Sequence, residues 1–252
     1  MIPVSFMNSL INLNDRTGAH PQLTWYGHDG RIELSGNVLN NWINKTTNLL
    51  IEEFDAESGV TIDVDLPPHW RTLTWQFATL VTGATLNLSP HTAAGRVLVT
   101  HQPTSDLAVG ASSATDIVAV NLAPLARTFG SPLPPGAVDA AGAVMTYSDA
   151  LGYVPDTDAT ARAIVSGDTA VDYLDLANWI HPDTQPSART LALVSQSTSA
   201  VDALHCALSV WAAGGSLVMT DPATTAELAT DAQRTQRIVD TERITHTIDL
   251  SA

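Results

Sequence analysis

The stretch that decides the fold is Gly30–Leu88, with the sequence GRIELSGNVLNNWINKTTNLLIEEFDAESGVTIDVDLPPHWRTLTWQFATLVTGATLNL. Just before it, Asp29-Gly30 is a typical turn pair between two short apolar strands. After Ser35, apolar residues recur every three or four positions, which indicates an amphipathic helix with one buried face. The predicted elements are strands Gln22–Tyr26 and Arg31–Leu34, a helix from Ser35 to Phe54, strand Val60–Leu66, helix His69–Thr82 and strand Ala84–Leu88.

The same alternation of strands and helices continues through the rest of the chain. It predicts an α/β fold with a mostly parallel sheet and helices on both faces. The proline-rich segment Phe129–Asp158 interrupts the pattern, and we interpret it as a long crossing connection within one sheet. Residues 1–252 are then a single domain, the alternative being a split near 129–158. The further predicted elements are strands Arg96–Thr100, Asp116–Val120 and Thr190–Ser195, helix Ser199–Ala213, strand Ser216–Thr220, and a final strand or hairpin within Ile238–Leu250.

The charge balance excludes several classes of partner. The chain carries 11 Lys+Arg against 26 Asp+Glu, a formal net charge of −15, and Lys45 is its only lysine. Nucleic acids and anionic membrane surfaces need many cationic contacts, so neither is an expected partner. The N-terminal residues lack a basic segment followed by an apolar run, no apolar stretch reaches the length of a membrane span, and the single Cys206 excludes an internal disulfide. We therefore expect a cytoplasmic protein.

Two segments resemble the adenylate-forming (AMP-binding, acyl-CoA synthetase-like) superfamily. The stretch Gly30–Leu88 is similar to the hairpin, "tYxeL" helix, "GD-V-a-l-l-p-N" strand and "l-k-a-G-a-v-y-v-p-l" segment that open the larger domain of those enzymes. The stretch Ala188–Asp221, ARTLALVSQSTSAVDALHCALSVWAAGGSLVMTD, is similar to their "d-r-v-l…p-l-f-H…a-l-l-a-G-g-t-v-v-l" segment. The resemblance implies a truncated N-terminal domain of such an enzyme, as in a short actinobacterial family without an assigned function.

The departures from that superfamily concern its chemistry. Its phosphate loop, "TSGTTGxPKG", supplies backbone amides and a lysine, whereas the comparable segment here is IVSGDTA (164–170), with Asp168 and no lysine. The "YGxTE" and "Y-R-T-G-D" segments have no match, and no C-terminal lid domain is expected. The resemblance thus implies a catalytically degenerate protein that does not activate acyl groups with ATP, with no catalytic residue and no cofactor expected.

Two loops are candidates for a ligand cleft. One corresponds to the superfamily's phosphate loop, and the other follows an apolar strand and precedes a helix, where open α/β sheets bind ligands. The simpler interpretation of the first is a plain turn, and the second could serve only to cap the helix. The candidate residues are Ser166, Gly167, Asp168 and Thr169 in the first loop, and Ser195, Gln196, Ser197 and Ser199 in the second.

The expected function is binding, of a small acyl or nucleotide-like ligand or of a protein partner. One alternative is an enzyme that hydrolyses esters or thioesters with residues near the second loop. Another is a subunit completed by a second chain, including a homodimer through an exposed sheet edge. No metal site is expected, since no histidine pair has metal spacing; Asp63 and Asp65 fit a solvated strand end better than a cation site. The residues named for the hydrolase are Ser195, Ser197, Asp202 and His205.

Overall fold

The computed structural model describes residues 18–88, 90–180 and 186–251. Their strands form two sheets instead of the single sheet expected from the sequence pattern. The strands are β1 Pro21–Gly27, β2 Gly30–Ser35, β3 Thr61–Asp65, β4 Thr85–Leu88, β5 Val97–Thr100, β6 Asp116–Ala119, β7 Val138–Asp139, β8 Arg162–Ser166, β9 Thr169–Asp172, β10 Arg189–Leu193, β11 Ser216–Thr220 and β12 His246–Asp249. The helices are α1 Gly36–Phe54, α2 Trp70–Thr82, α3 Asp106–Val109, α4 Ala140–Val144, α5 Leu176–Trp179, α6 Ala200–Ala212, α7 Pro222–Thr230 and α8 Ala232–Glu242, and a short 3-10 turn covers Tyr173–Asp175.

The chain divides into two compact units. The first contains Asn41–Leu66 and Thr74–Trp179, and the described part of the second contains 18–40, Pro67–Leu73, Ile180 and 186–251. The segment 129–158 lies wholly inside the first unit, and the expectation of a single domain over residues 1–252 stays a prediction. Among the described residues, no helix is both long enough and apolar enough to cross a membrane.

The first unit is built on a seven-stranded sheet in the order β7-β6-β5-β3-β4-β8-β9. Every neighbouring pair is parallel except the hairpin β8–β9. Its central strands are buried, with Ile62, Val64 and Val99 fully inaccessible to solvent. Asp63 is also buried, contrary to the solvated strand end expected from the sequence, because its carboxylate accepts hydrogen bonds from the Asn87 amide (2.7 Å) and the Gly95 backbone (2.8 Å).

The long connection 129–158 is held in place by polar side chains of α1. The Asn48 amide donates to the carbonyls of Ser148 (3.0 Å) and Ala150 (2.9 Å) and accepts from the Gly152 backbone (3.1 Å). Lys45 donates to the carbonyl of Tyr147. These bonds satisfy backbone groups that have no strand or helix partner, and they explain how a connection of this length is ordered.

The second unit is built on a five-stranded sheet in the order β12-β10-β11-β1-β2, parallel except for the hairpin β1–β2. The hairpin, the extent of α1 and the β10–α6–β11 succession confirm the sequence-based predictions within one or two residues. The prediction for Ile238–Leu250 is wrong in its first part. Asp231 caps a helix by accepting from the Arg234 backbone at 2.8 Å, and that helix runs to Glu242 before β12 begins.

Both sheets have unpaired outer strands in the described chain, β7 and β9 in one sheet and β12 and β2 in the other. A homodimer through one of these edges stays a prediction. The fold class itself is confirmed, since both sheets are mostly parallel and are flanked by helices.

Candidate functional site

The first predicted loop is the tight turn of the hairpin β8–β9. Ser166 pairs directly with Thr169, so only Gly167 and Asp168 form the turn. Gly167 adopts a φ of +54°, a left-handed conformation that glycine reaches without strain. The structure therefore has a plain two-residue turn here, as the simpler of the two sequence interpretations had it.

The second predicted loop lies at the carboxyl end of β10. The hydroxyls of Ser195 and Ser197 are 2.9 Å apart, and the Ser197 hydroxyl also donates to the Ser251 carbonyl at 3.3 Å. Ser199 begins α6, accepting from the Asp202 backbone at 3.2 Å, while the Asp202 carboxylate accepts from Ser199. Ser199 thus serves as a helix cap, and Gln196 is exposed.

The two loops belong to different units, Ser166–Thr169 to the first and Ser195–Ser199 to the second. A ligand cleft formed by them stays a prediction. So does the hydrolase alternative, for which the Asp202 carboxylate is already engaged in capping α6.

A histidine–aspartate pair lies at the carboxyl end of the second sheet and was missed by the sequence analysis. Asp221, just after β11, accepts from the His28 backbone (2.8 Å), and its carboxylate lies 3.0 Å from His28 Nδ1. It also caps α7 through the Thr224 backbone (2.6 Å). The His28 side chain is 74% exposed, so its Nε2 edge faces solvent. The sequence signal that could have found the pair is position. Asp221 directly follows the predicted strand Ser216–Thr220, and His28 lies in the turn after the predicted strand Gln22–Tyr26.

The charges of this pair stabilise each other. The hydrogen bond to Asp221, aided by the charge of Asp29, raises the pKa of His28. Burial by itself raises the pKa of Asp221, but hydrogen bonds from Thr224 and His28 outweigh burial and lower that pKa overall. A carboxylate that orients one imidazole nitrogen and leaves the other open is the usual arrangement of a histidine that transfers protons.

We predict that Asp221→Asn lowers the pKa of His28 toward its ordinary value of about 6.5. Because the pKa of His28 is raised in the folded protein, the stabilising charge pair is fully present below the unfolded value and is lost as the pH rises through the folded value. NMR titration of the His28 ring protons measures the shift directly. Asp231→Asn is the matched control, since Asp231 also caps a helix and should leave the His28 titration unchanged; an unaltered His28 pKa in Asp221→Asn would contradict the charge pairing.

The strand order of the first sheet contains a topological switch point. The chain leaves β3 toward β4 on one side, and it leaves β5 toward β6 on the other side. In open α/β sheets, ligands bind outside the carboxyl ends of the two strands between which the order of strand addition reverses. Asp65 and Thr100 end these strands, and the Thr100 hydroxyl donates to the Asp65 carboxylate at 3.1 Å.

An open pocket of about 330 Å³ lies beside this switch point. It is formed by the loop after β5, which supplies residues 101–105, and by the connection after β6, which supplies Phe129, Ser131 and Pro132. His101 ties the pocket to the switch point, because its Nδ1 lies 3.3 Å from the Asp65 carbonyl. The volume is at the lower end of the range for small-molecule sites.

A second pocket, of about 420 Å³, borders a buried ion network in the other unit. Glu242 is 4% exposed, and it accepts from Tyr26 (2.7 Å), Arg31 (2.8 Å) and Arg189 (2.6 Å). Burial by itself raises the pKa of Glu242, but these three hydrogen bonds outweigh it, and the pKa is lowered. Arg189 also donates to Thr24 and to the Glu242 carbonyl, so the network fastens α8 to the sheet.

Two other chemical groups can be assessed from the structure. Cys206 is buried, and burial raises the pKa of its thiol to about 12, so the reactive thiolate is scarce at neutral pH. In the described part of the chain, no cluster of three or more His, Cys, Asp or Glu side chains could hold a metal ion.

Comparison with known proteins places the chain in a family. No family model matches it. A TIGR03089 family protein of Mycobacterium tuberculosis (strain ATCC 25618 / H37Rv) is 30% identical over an alignment that covers 90% of this chain and 91% of that protein.

Solved structures share the fold at low sequence identity. An acyl-CoA synthetase of Brucella canis matches with a TM-score of 0.73 and 15% identity over 96% of this chain and 47% of its own. Acetoacetyl-CoA synthetase of Streptomyces lividans matches with a TM-score of 0.70 and 14% identity over 97% of this chain and 42% of its own. The amide bond synthetase McbA of Marinactinospora thermotolerans matches with a TM-score of 0.68 and 14% identity over 97% of this chain and 48% of its own. This chain thus spans about half the length of these synthetases.

These solved structures confirm the resemblance to adenylate-forming enzymes at the level of the fold. The Mycobacterium tuberculosis relative goes further, because its similarity extends over nine tenths of both sequences. The chain belongs to the TIGR03089 family and has the fold of about half of an adenylate-forming synthetase.

Proposed function

We propose that this chain binds a small ligand on an adenylate-forming fold and does not activate carboxylates with ATP. The observation that carries the proposal is the turn of the β8–β9 hairpin. Only Gly167 and Asp168 link the two strands, at the place where the resemblance puts a phosphate loop. Two turn residues offer few backbone N–H groups for a triphosphate, and the Asp168 carboxylate repels one.

The only lysine supports the same conclusion. Phosphoryl and adenylyl transfer depend on positive charge placed where negative charge develops. Lys45 lies on α1 and is hydrogen-bonded to the Tyr147 carbonyl, in the connection 129–158. The lysine of the superfamily's phosphate loop therefore has no counterpart in these 252 residues.

We predict no ATP–pyrophosphate exchange by the wild-type chain with any member of a panel of short, long and aromatic carboxylates. In the same buffer, calorimetric titration with ATP and Mg²⁺ should give no saturable heat up to millimolar concentration. An active acyl-CoA synthetase run in parallel serves as the positive control. Exchange that rises above the blank and depends on the carboxylate would overturn the proposal.

A pair of variants tests the role assigned to the turn. Asp168→Lys replaces the repelling charge by an attracting one, and it should bind ATP measurably more tightly than the wild type. Asp156→Lys makes the same change at an exposed position outside the turn, and like the wild type it should give no saturable ATP binding. Equal effects of the two variants would assign the result to net charge instead of to the turn.

A further inference from the structure

The pocket beside the switch point of the first sheet has walls that are fixed from the ends of four strands. Thr100, at the end of β5, accepts from the Gln102 backbone at 3.0 Å. Asp65, at the end of β3, holds Thr100 (3.1 Å) and His101 (3.3 Å) through its carboxylate and its carbonyl. These bonds set the course of the loop 101–105 before any ligand arrives.

The opposite wall is fixed in the same way. Asn121, just after β6, donates from its amide to the carbonyls of Thr128 and Phe129, both at 3.0 Å. Asp139, at the end of β7, accepts from the Phe129 backbone at 2.8 Å and from the Ala141 backbone at 3.0 Å. The backbone of Phe129 is therefore held from both sides, which places its half-buried ring at the pocket.

Preorganisation of this kind lowers the entropy that binding must supply. The bonds converge on two short segments that face one space. The location agrees, since the pocket opens at the carboxyl ends of parallel strands beside the point where the order of strand addition reverses.

The lining determines which ligand chemistry fits. None of the eight lining residues is Lys, Arg, Asp or Glu. Phe129 and two prolines offer flat apolar contact, while Gln102, Thr104 and Ser131 offer amide and hydroxyl groups. Asp106 directly follows the lining residue Ser105, and Asp65 and Asp139 stand behind the walls, so an anionic group would meet negative charge that no lysine or arginine of the lining offsets.

We propose that this pocket, lined by Gln102, Thr104, Phe129 and Ser131, binds a small uncharged ring that carries hydroxyl or amide groups, of the size of a sugar or a nucleoside. One face of the ring stacks on Phe129, and its edge bonds to Gln102, Thr104 and Ser131. The inference rests on the proposed function, since it names the ligand class for a protein that binds without adenylating.

Two pairs of probes test the chemistry with the full chain: adenosine against adenosine 5′-monophosphate, and glucose against glucose 6-phosphate. Binding is measured by saturation-transfer NMR and calorimetry. The expected result is that adenosine or glucose binds and that its phosphorylated counterpart binds at least tenfold more weakly. The assignment is overturned if the phosphorylated compounds bind equally well or more tightly. It is also overturned if none of the four probes binds at concentrations up to about 10 mM.

Variants test the location. Phe129→Ala and Gln102→Ala should each weaken binding of the neutral probe about tenfold, as loss of a stacked ring or of a hydrogen bond to the ligand does. Phe129→Trp should retain binding, because a stacking face remains. Tyr153→Ala removes an exposed aromatic ring of the same unit outside the pocket and is the control. Circular dichroism and the melting temperature verify that each variant is folded.

The two hypotheses fail in different ways. Binding of a neutral probe that is unaffected by Phe129→Ala and Gln102→Ala places the site elsewhere, which overturns this inference and leaves the proposed function intact. Carboxylate-dependent pyrophosphate exchange overturns the proposed function, whatever the probes show.

Discussion

Replacement of Glu242 by glutamine is expected to lower the free energy of unfolding by about 3 kcal/mol, the scale observed when one partner of a buried ion pair is removed. The Glu242 carboxylate is nearly inaccessible and is bound by Arg31, Arg189 and Tyr26. Glutamine keeps the shape but removes the charge, which leaves Arg189, with a side chain only 15% exposed, without its counterion. Denaturant unfolding followed by circular dichroism measures the loss.

Glu227→Gln is the matched control for this prediction. Glu227 pairs with Arg234, but both side chains are more than a third exposed, and such surface pairs contribute less than about 1 kcal/mol. The pH dependence adds a second criterion. Because the pKa of Glu242 is lowered in the folded protein, its contribution is present above the unfolded value of about 4.3 and is lost as the pH falls through the folded value. Equal losses for Glu242→Gln and Glu227→Gln at neutral pH would rule out a stabilising role for the network.

Tyr173→Ala is expected to cost about 4 kcal/mol, within the range for replacing a buried aromatic ring by alanine. Tyr173 is 1% exposed and follows the β8–β9 hairpin. Its hydroxyl donates to the Ala84 carbonyl at 2.7 Å and lies 3.1 Å from the Leu80 carbonyl. The ring thus fixes the hairpin, and with it the Gly167-Asp168 turn, to the segment between α2 and β4.

Tyr173→Phe separates the two parts of that effect. It keeps the ring and removes the donor, so the buried Ala84 carbonyl loses a partner, at a cost of about 1–3 kcal/mol. Tyr153→Ala, at a side chain that is 78% exposed, should change stability by less than about 0.5 kcal/mol. Hydrogen exchange should show faster exchange in the β8–β9 hairpin for Tyr173→Ala. If unfolding of Tyr173→Ala matches that of Tyr153→Ala, the ring does not anchor the hairpin.

Local pattern was sufficient for elements whose signals lie within a few residues. The three- and four-residue spacing of α1 and the succession β10–α6–β11 appear in the structure as predicted, and the first hairpin turns at His28-Asp29, one residue before the predicted Asp29-Gly30 pair. The pattern failed for α8, which has few apolar residues besides Ile238 and is identified by its cap, Asp231. The β-branched residues that suggested a strand over the whole segment belong only to its end.

The pairing of strands that lie far apart in the chain could not be predicted from the sequence. Each short apolar run predicts a strand, but the run does not specify its neighbour, so one sheet and two sheets give the same pattern. The sites depend on the same information. His28 and Asp221 lie 193 positions apart, and Tyr26 and Glu242 lie 216 apart, and they meet only because β1 pairs with β11 and α8 packs against that sheet.

The bond between Lys45 and the Tyr147 carbonyl also has a practical consequence. Lys45 is the one side chain in these 252 residues that an amine-directed reagent can modify. It is half-buried, and its amine donates a hydrogen bond to a backbone carbonyl. Acylation of this ε-amine requires the hydrogen bond to break. The acylation rate therefore depends on how often the 145–150 segment moves away from α1. A dye attached to Lys45 would therefore report the local motion of this segment without an introduced labelling residue.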